Sequence, residues 1–138
     1  MVQKSIVSVI DQYFRRFNSK TLKVSHQPLD DLRVIVVIPI YNEEDLNPTL
    51  ESLFLNQESY SFTIEVIAIV NDSRNEKKEV KELNQKTFIQ LKNFAKNNNN
   101  EKAFLIPIYM EDLDPKHAGV GLARKLGMDL ALERFKLI

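Results

Sequence analysis

Three runs of this chain are apolar at nearly every position, odd and even alike: RVIVVIPI (33–40), FTIEVIAIV (62–70) and AFLIPIY (103–109). Strands buried on both faces of a parallel sheet read this way, whereas a half-solvated strand alternates. Between and after these runs, apolar residues recur every three or four positions, the helical period. Leu46, Leu50, Leu53 and Phe54 predict a helix ending near Gln57. Val80, Leu83, Phe88, Leu91 and Phe94 predict the inner face of a longer one, ended by the NNNN run at 97–100. A last helix is predicted over about 119–135, and an amphipathic one opens the chain over 4–18, with Ile6, Val7, Ile10, Phe14 and Phe17 on its apolar side. The order is thus α, then β-α-β-α-β-α. Strands alternating with helices predict right-handed crossovers and a parallel sheet covered on both faces, an α/β fold. There are no internal repeats and no interdomain linker.

Composition narrows the picture by exclusion. A chain of 138 residues is long enough for one domain with its own core. Nineteen basic residues balance nineteen acidic ones, which argues against a nucleic-acid footprint. With no cysteine, disulfides and thiolate metal sites are excluded. None of the apolar runs approaches the roughly 20 residues that span a bilayer. The N-terminus does not read as a signal peptide, because Asp11 interrupts its apolar residues and Arg15 and Arg16 follow. These features point to a cytoplasmic or cytosol-facing protein without a membrane segment in this stretch.

In open parallel sheets, ligands bind outside the carboxyl ends of the strands. Three polar segments fall there: YNEED (41–45), NDSRNE (71–76) and EDLDPKHAG (111–119). All three glycines of the chain, Gly119, Gly121 and Gly127, lie at the start of the last helix or inside it. At 100° per residue, Val120, Gly127, Met128, Ala131 and Phe135 share one side of that helix, and Arg124 falls with them. Lys125, Asp129 and Glu133 share the other, at a spacing that favours surface ion pairs. Arg124 sits in the first turns, where free N–H groups and the helix dipole favour an anion. It either meets a ligand anion there or pairs with a carboxylate of the chain. GVGLAR is not a dinucleotide fingerprint: a ten-residue loop separates it from the preceding strand and the third small residue is missing.

Asp72 follows the second strand, as a ligand-binding carboxylate or as turn and cap chemistry. Tyr41, Asn42, Glu43 and Glu44 follow the first, as a site wall or a solvated loop. DLD at 112–114 has the spacing of a metal pair but lies in a loop before Pro115 and reads as loop residues. His26 and His117 have no Ser, Cys or His at motif spacing, so no nucleophilic triad is formed on sequence grounds.

Three segments together resemble the family 2 glycosyltransferases of the GT-A fold. VIVVIPIYNEEDLNPTLESLFLNQ is similar to their opening strand, P-x-Y-N-E turn and T-L-x-S-L helix. IEVIAIVNDSRNE resembles their second strand and D-D-G-S-type turn, and GVGLARKLGMDLA resembles their G-x-x-x-A-R-N-x-G-x-x-x-A helix. The likeness covers about residues 33–135. It implies a three-layer, Rossmann-like sheet forming the N-terminal half of a GT-A domain over 33–138, with residues 1–32 an added helix and connector. It implies a nucleotide-diphosphate-sugar donor, most commonly a UDP-sugar, whose sugar passes to an acceptor hydroxyl. Carried over by position, Tyr41 and Glu43 would border the nucleoside, Asp72 would accept a hydrogen bond from the base, and Arg124 would lie on the nucleotide side. Asn71 stands where the first Asp of D-D-G-S is usual, Ser73 replaces its Gly, and Lys125 stands where Asn is usual. The full-length enzymes use a divalent cation, Mg or Mn, held by a D-x-D on the next strand. That strand would follow Ile138, so the expectation is a truncated donor-binding half with no assignable metal ligand or catalytic base. The alternative is a non-catalytic nucleotide-binding or protein-interaction module, whose open sheet edge would suit a homodimer. A sugar-nucleotide nucleotidyltransferase is disfavoured, since YNEEDLNP is acidic and glycine-free where a basic, glycine-rich loop is required.

Overall fold

The computed structural model describes residues 5–17, 22–55 and 59–138. Strands β1 (Leu32–Ile40), β2 (Thr63–Ser73) and β3 (Ala103–Leu113) form a parallel sheet in the order β1-β2-β3. Helices α1 (Ile6–Phe17), α2 (Asn47–Leu55), α3 (Lys78–Asn98) and α4 (Val120–Lys136) complete the described elements. The expected end of the second helix near Gln57, and the outermost residues of the first, lie outside the described residues.

The continuous apolar runs are explained by two cores, one on each face of the sheet. Successive side chains of a strand point to opposite faces. Ile64, Val66, Ala68 and Val70 of β2 therefore pack with Leu50 and Phe54 of α2 and Leu91 of α3. Ile67 and Ile69 pack the other way, with Ala123 and Leu130 of α4. Every residue of β2 is buried. Its position in the middle also agrees with where the prolines fall. A proline has no N–H to give a ladder and is confined to edge strands. Pro39 lies in β1 and Pro107 in β3, while β2 has none. The result is a three-layer α/β arrangement, compatible with a Rossmann-like fold.

Strands β2 and β3 run further than their apolar residues suggest. Asn71, Asp72 and Ser73 continue β2, and Met110 to Leu113 continue β3, where a turn and a polar loop were expected. The two extensions pair with each other, Asn71 with Met110 and Ser73 with Leu113, across an irregularity between Asn71 and Ser73. Their polarity belongs to the crevice end of the sheet rather than to a loop.

Helix α4 is rotated from its expected face. Ala123, Gly127, Leu130 and Arg134 are buried, whereas Val120, Arg124 and Met128 are exposed. Gly127 decides the rotation. A Cβ there would come within 2.4 Å of Val37 Cγ1 and 2.9 Å of Ile69 Cδ1, so only a glycine lets the helix lie this close to the sheet. The contact line then follows i, i+4, i+7 and i+11 from Ala123. Expected ion pairing on the other side is present, but it is not a surface pair. Lys125 meets Asp129 at 2.6 Å, and Asp129 is buried under α1, where Tyr13 donates to it at 2.7 Å. Helix α1 buries only Ile10 fully and leaves Ile6 and Phe17 exposed.

One buried ion pair spans the α4 side. Glu65 of β2 takes two hydrogen bonds from Arg134, through Nε and through Nη2 at 3.1 Å. Arg134 Nη1 also donates to the His26 carbonyl at 3.0 Å, and the Leu29 N–H donates to Glu65 at 2.9 Å. Two charges inside a core are tolerated only with this degree of pairing. The arrangement ties the connector before β1 to the sheet and to the last turns of α4.

Candidate functional site

The polar strand ends surround a cavity of 370 Å³. Asn71, Asp72 and Ser73 at the end of β2 contribute to it, with Tyr41 just beyond β1 and Glu76 beyond β2. The segment from Pro115 to Val120, leading into α4, also lines it. Hollows of 660 and 710 Å³ occur elsewhere, by the C-terminal turns of α4 and of α2 with α3. Neither gathers carboxylate, phenol and helix N-terminus in one place as the smaller cavity does.

Asp72 is the anchor beneath this site. Its side chain has no exposed surface. Four donors answer its carboxylate: the Tyr109 hydroxyl, the Asp112 N–H at 3.0 Å, Lys81 Nζ at 3.2 Å and Asn84 Nδ2 at 3.4 Å. Burial alone would raise its pKa, but these hydrogen bonds outweigh burial and hold the carboxyl below its ordinary value. Tyr109 is pushed the other way, first by burial and then by its bond to the Asp72 anion. Lys81 also donates to Asp112, and this contact chiefly raises its pKa.

Above this anchor, the Tyr41 hydroxyl donates to Glu76 Oε2 at 2.8 Å. That bond, then burial, raises the Tyr41 pKa. Asn71 is 1 % exposed and donates through Nδ2 to the Ile40 carbonyl at 3.1 Å. Its Oδ1 has no partner, the one such buried side-chain atom among the described residues. On the facing side, α4 begins at Gly119, with φ of 135°, a backbone conformation that favours glycine. No side chain caps this helix end, and the first-turn N–H groups have no acceptor within the helix.

The four residues singled out from the sequence do not all meet here. Tyr41 and Asp72 line the cavity. Glu43 is exposed outside its wall, and only its carbonyl is engaged, by Thr87 Oγ1 at 3.0 Å. Arg124 is exposed on the outer face of α4, also outside the wall, because the helix turns Ala123 and Gly127 to the sheet instead. Asp112, one residue before the end of β3, is in a left-handed conformation, with φ of 55°, and pairs with Lys81. Asp114 caps the next turn by accepting from the Lys116 N–H at 3.0 Å.

Asn84 and Lys81 are the contributors that the sequence pattern hid. Asn84 is fully buried in α3; it donates to the Asn71 carbonyl at 3.1 Å and accepts from the Asn42 N–H at 3.0 Å. Asn84, Thr87 and Leu91 form the buried line of α3, flanked by the apolar residues taken to be its inner face. A polar residue at the centre of an apolar stripe was the available signal.

Among the described residues, no group of three or more His, Cys, Asp or Glu side chains is placed to hold a metal ion. No described helix is long and apolar enough to cross a membrane. Neither a family model nor a curated protein nor a solved structure matches the chain.

Proposed function

We propose that this chain binds the nucleotide of a nucleotide-diphosphate-sugar, as the donor-side half of a family 2-like glycosyltransferase of the GT-A type. One observation carries the reading. Tyr41, Asn71 to Ser73 and Gly119 to Val120 belong to the three segments that resemble that family, are far apart in sequence, and line one cavity at the strand ends. Its volume of 370 Å³ lies within the range of small-molecule sites, roughly 300–1,000 Å³. The uncapped start of α4 offers N–H donors to an acceptor or anion, and a nucleotide carries both.

Asp72 shapes the floor of the site in this reading. Its four internal donors already fill the carboxylate, so a base reaches it only by displacing one of them. Glu43 and Arg124 stand at the outer margin rather than against the nucleoside. The described residues do not fit the divalent cation expected of the whole enzymes. Lys81 already occupies the space between Asp72 and Asp112, and Tyr41 engages Glu76. The transfer itself, attack of an acceptor hydroxyl on the anomeric carbon with loss of the nucleoside diphosphate, is therefore assigned to no residue here.

Titration calorimetry with UDP, GDP and their sugars tests the reading. Saturable binding of a nucleoside diphosphate is the expected result, with a melting temperature that rises with ligand concentration, because only the folded state binds. Binding should weaken at least tenfold in Asp72→Ala, as the floor loses its anchor. Absence of affinity for any nucleotide, together with a stable dimer in light scattering, would favour an interaction module on the same fold.

A further inference from the structure

We propose that helix α1 docks this chain on an anionic lipid surface, lying in the headgroup layer on its exposed apolar side. The helix falls outside the residues that resemble the glycosyltransferases, so the inference is independent of the nucleotide reading and goes beyond it. Its sequence, IVSVIDQYFRRF, is two-sided. At 100° per residue, Ile6, Val9, Tyr13 and Phe17 share one side, at i, i+3, i+7 and i+11. Ser8, Asp11 and Arg15 share the opposite side. In a surface helix such an apolar stripe faces the core. Here Ile6 is 69 % exposed, Val9 49 % and Phe17 56 %.

The contacts that hold α1 leave this stripe open. Ile10 is buried, the Tyr13 hydroxyl donates to Asp129 at 2.7 Å, and Lys136 pairs with Asp11 at 2.5 Å. All three come from the middle of the helix, and two of them are polar. They fix α1 against α4 without covering Ile6, Val9 or Phe17. The helix is thus held in place with most of its apolar side still facing water.

Charge indicates what covers it. The first 23 residues hold five basic side chains, Lys4, Arg15, Arg16, Lys20 and Lys23, against one acidic, Asp11. With nineteen of each sign in the whole chain, fourteen basic and eighteen acidic residues remain beyond them. A neutral protein therefore carries its positive excess on and around one amphipathic helix. Asp11 is already answered by Lys136, whereas Arg15 and Arg16 are exposed and enter no ion pair among the described residues. The Arg16 guanidinium lies 5.5 Å from the centre of the Phe17 ring, at the border of the apolar stripe. Aromatic and branched apolar side chains bordered by arginine match the boundary of an anionic bilayer, where the former enter the acyl region and the latter meet lipid phosphates. The contact is with the surface, since no described helix is long and apolar enough to cross. A second copy fits less well, because a two-fold interface sets a patch against itself and would bring two basic segments together.

The test is flotation of the 138-residue chain with phosphatidylcholine vesicles, alone or with about one third phosphatidylserine. Binding to the anionic vesicles is expected to be at least about tenfold tighter than to phosphatidylcholine alone, and to weaken with added salt. Arg15→Glu combined with Arg16→Glu should lower the affinity for anionic vesicles at least about tenfold. Ile6→Ser combined with Phe17→Ser should abolish it, with no fall in melting temperature, since both side chains are exposed. The chain has no tryptophan, so Phe17→Trp supplies a single reporter whose emission should shift to the blue on anionic vesicles. If the serine variant does not fold, this shift and the charge reversal decide. No binding to either vesicle, or equal binding to both, overturns the proposal. So does a dimer in light scattering that the serine variant dissolves, which would assign the stripe to a second copy. Nucleotide affinity is measured without lipid, so either reading can fail while the other stands.

Discussion

Two buried carboxylates, Asp72 and Glu65, carry most of the residue-level consequences. Asp72 is held below the ordinary carboxylate value by its hydrogen bonds, against the opposing effect of burial. A depressed folded pKa means that its contribution to stability is complete above about pH 4, the unfolded value, and is lost as pH falls through the lower folded value. Asp72→Asn should cost about 1–3 kcal/mol near neutral pH. Its deficit in melting temperature should shrink below pH 4, and a deficit constant from pH 7 to pH 2 would count against the ionised assignment. For Glu65, the relevant partner is Arg134. Arg134→Met leaves Glu65 unpaired in the core, and should destabilise by about 3–5 kcal/mol. Replacing both residues by apolar ones of similar volume should cost less than the sum of the single changes. Urea denaturation of the four proteins gives the coupling directly, and simple additivity would show that the pair is not acting as one unit.

At the scale of elements, the glycines of α4 have unlike roles. Gly127 sets how closely the helix meets the sheet, with Val37 and Ile69 filling the space a methyl would need. Gly127→Ala should therefore cost about 1–3 kcal/mol, overpacking exceeding the gain in helix propensity. Gly121 has open space around its Cβ position, so Gly121→Ala should stabilise by about 0.5 kcal/mol. Opposite signs for these two changes in chemical denaturation are the expected outcome. Two costs of similar size would mean that the α4 contact line lies elsewhere. The outer strands offer a related contrast. Both have edges without a ladder partner among the described residues, and each carries a proline that withholds one N–H from any added strand.

For the molecule as a whole, β2 is the common wall of both cores, bonded on each side and buried along its length. Hydrogen exchange should find its slowest amides between Val66 and Val70. The N–H groups of α1, which buries only Ile10 fully, should exchange well before them. Comparable protection in α1 and β2 would imply that the first helix is integral to the cooperative core. The cavity lined by Tyr41, Asp72 and the start of α4 lies where these layers meet, at the end of the sheet where polar residues continue the strands.

The amino-acid sequence by itself determined the alternation of strands and helices, the double burial of β2 and the end of the sheet where polar residues gather; β1, read as equally buried, is fully buried only at Leu32 and Ile40. Period is local in the chain, so strand and helix can be read from it, whereas burial is not: Val34 of β1 and Val120 and Met128 of α4 stay exposed. The same locality explains why Tyr41 and Asp72 were legible as strand-end residues. It also explains why the ends of β2 and β3 were not, since Asn71 to Ser73 and Met110 to Leu113 become strands by pairing with each other. Only the tertiary structure decided which polar groups are free. Asp72 loses its availability to donors from residues 81, 84, 109 and 112, Arg124 is turned outward by a glycine packed on the sheet, and Asn71 Oδ1 is left unanswered. Those outcomes depend on distances between segments remote in the chain, and hydrogen-bond satisfaction is a property of that assembly rather than of any one residue's identity.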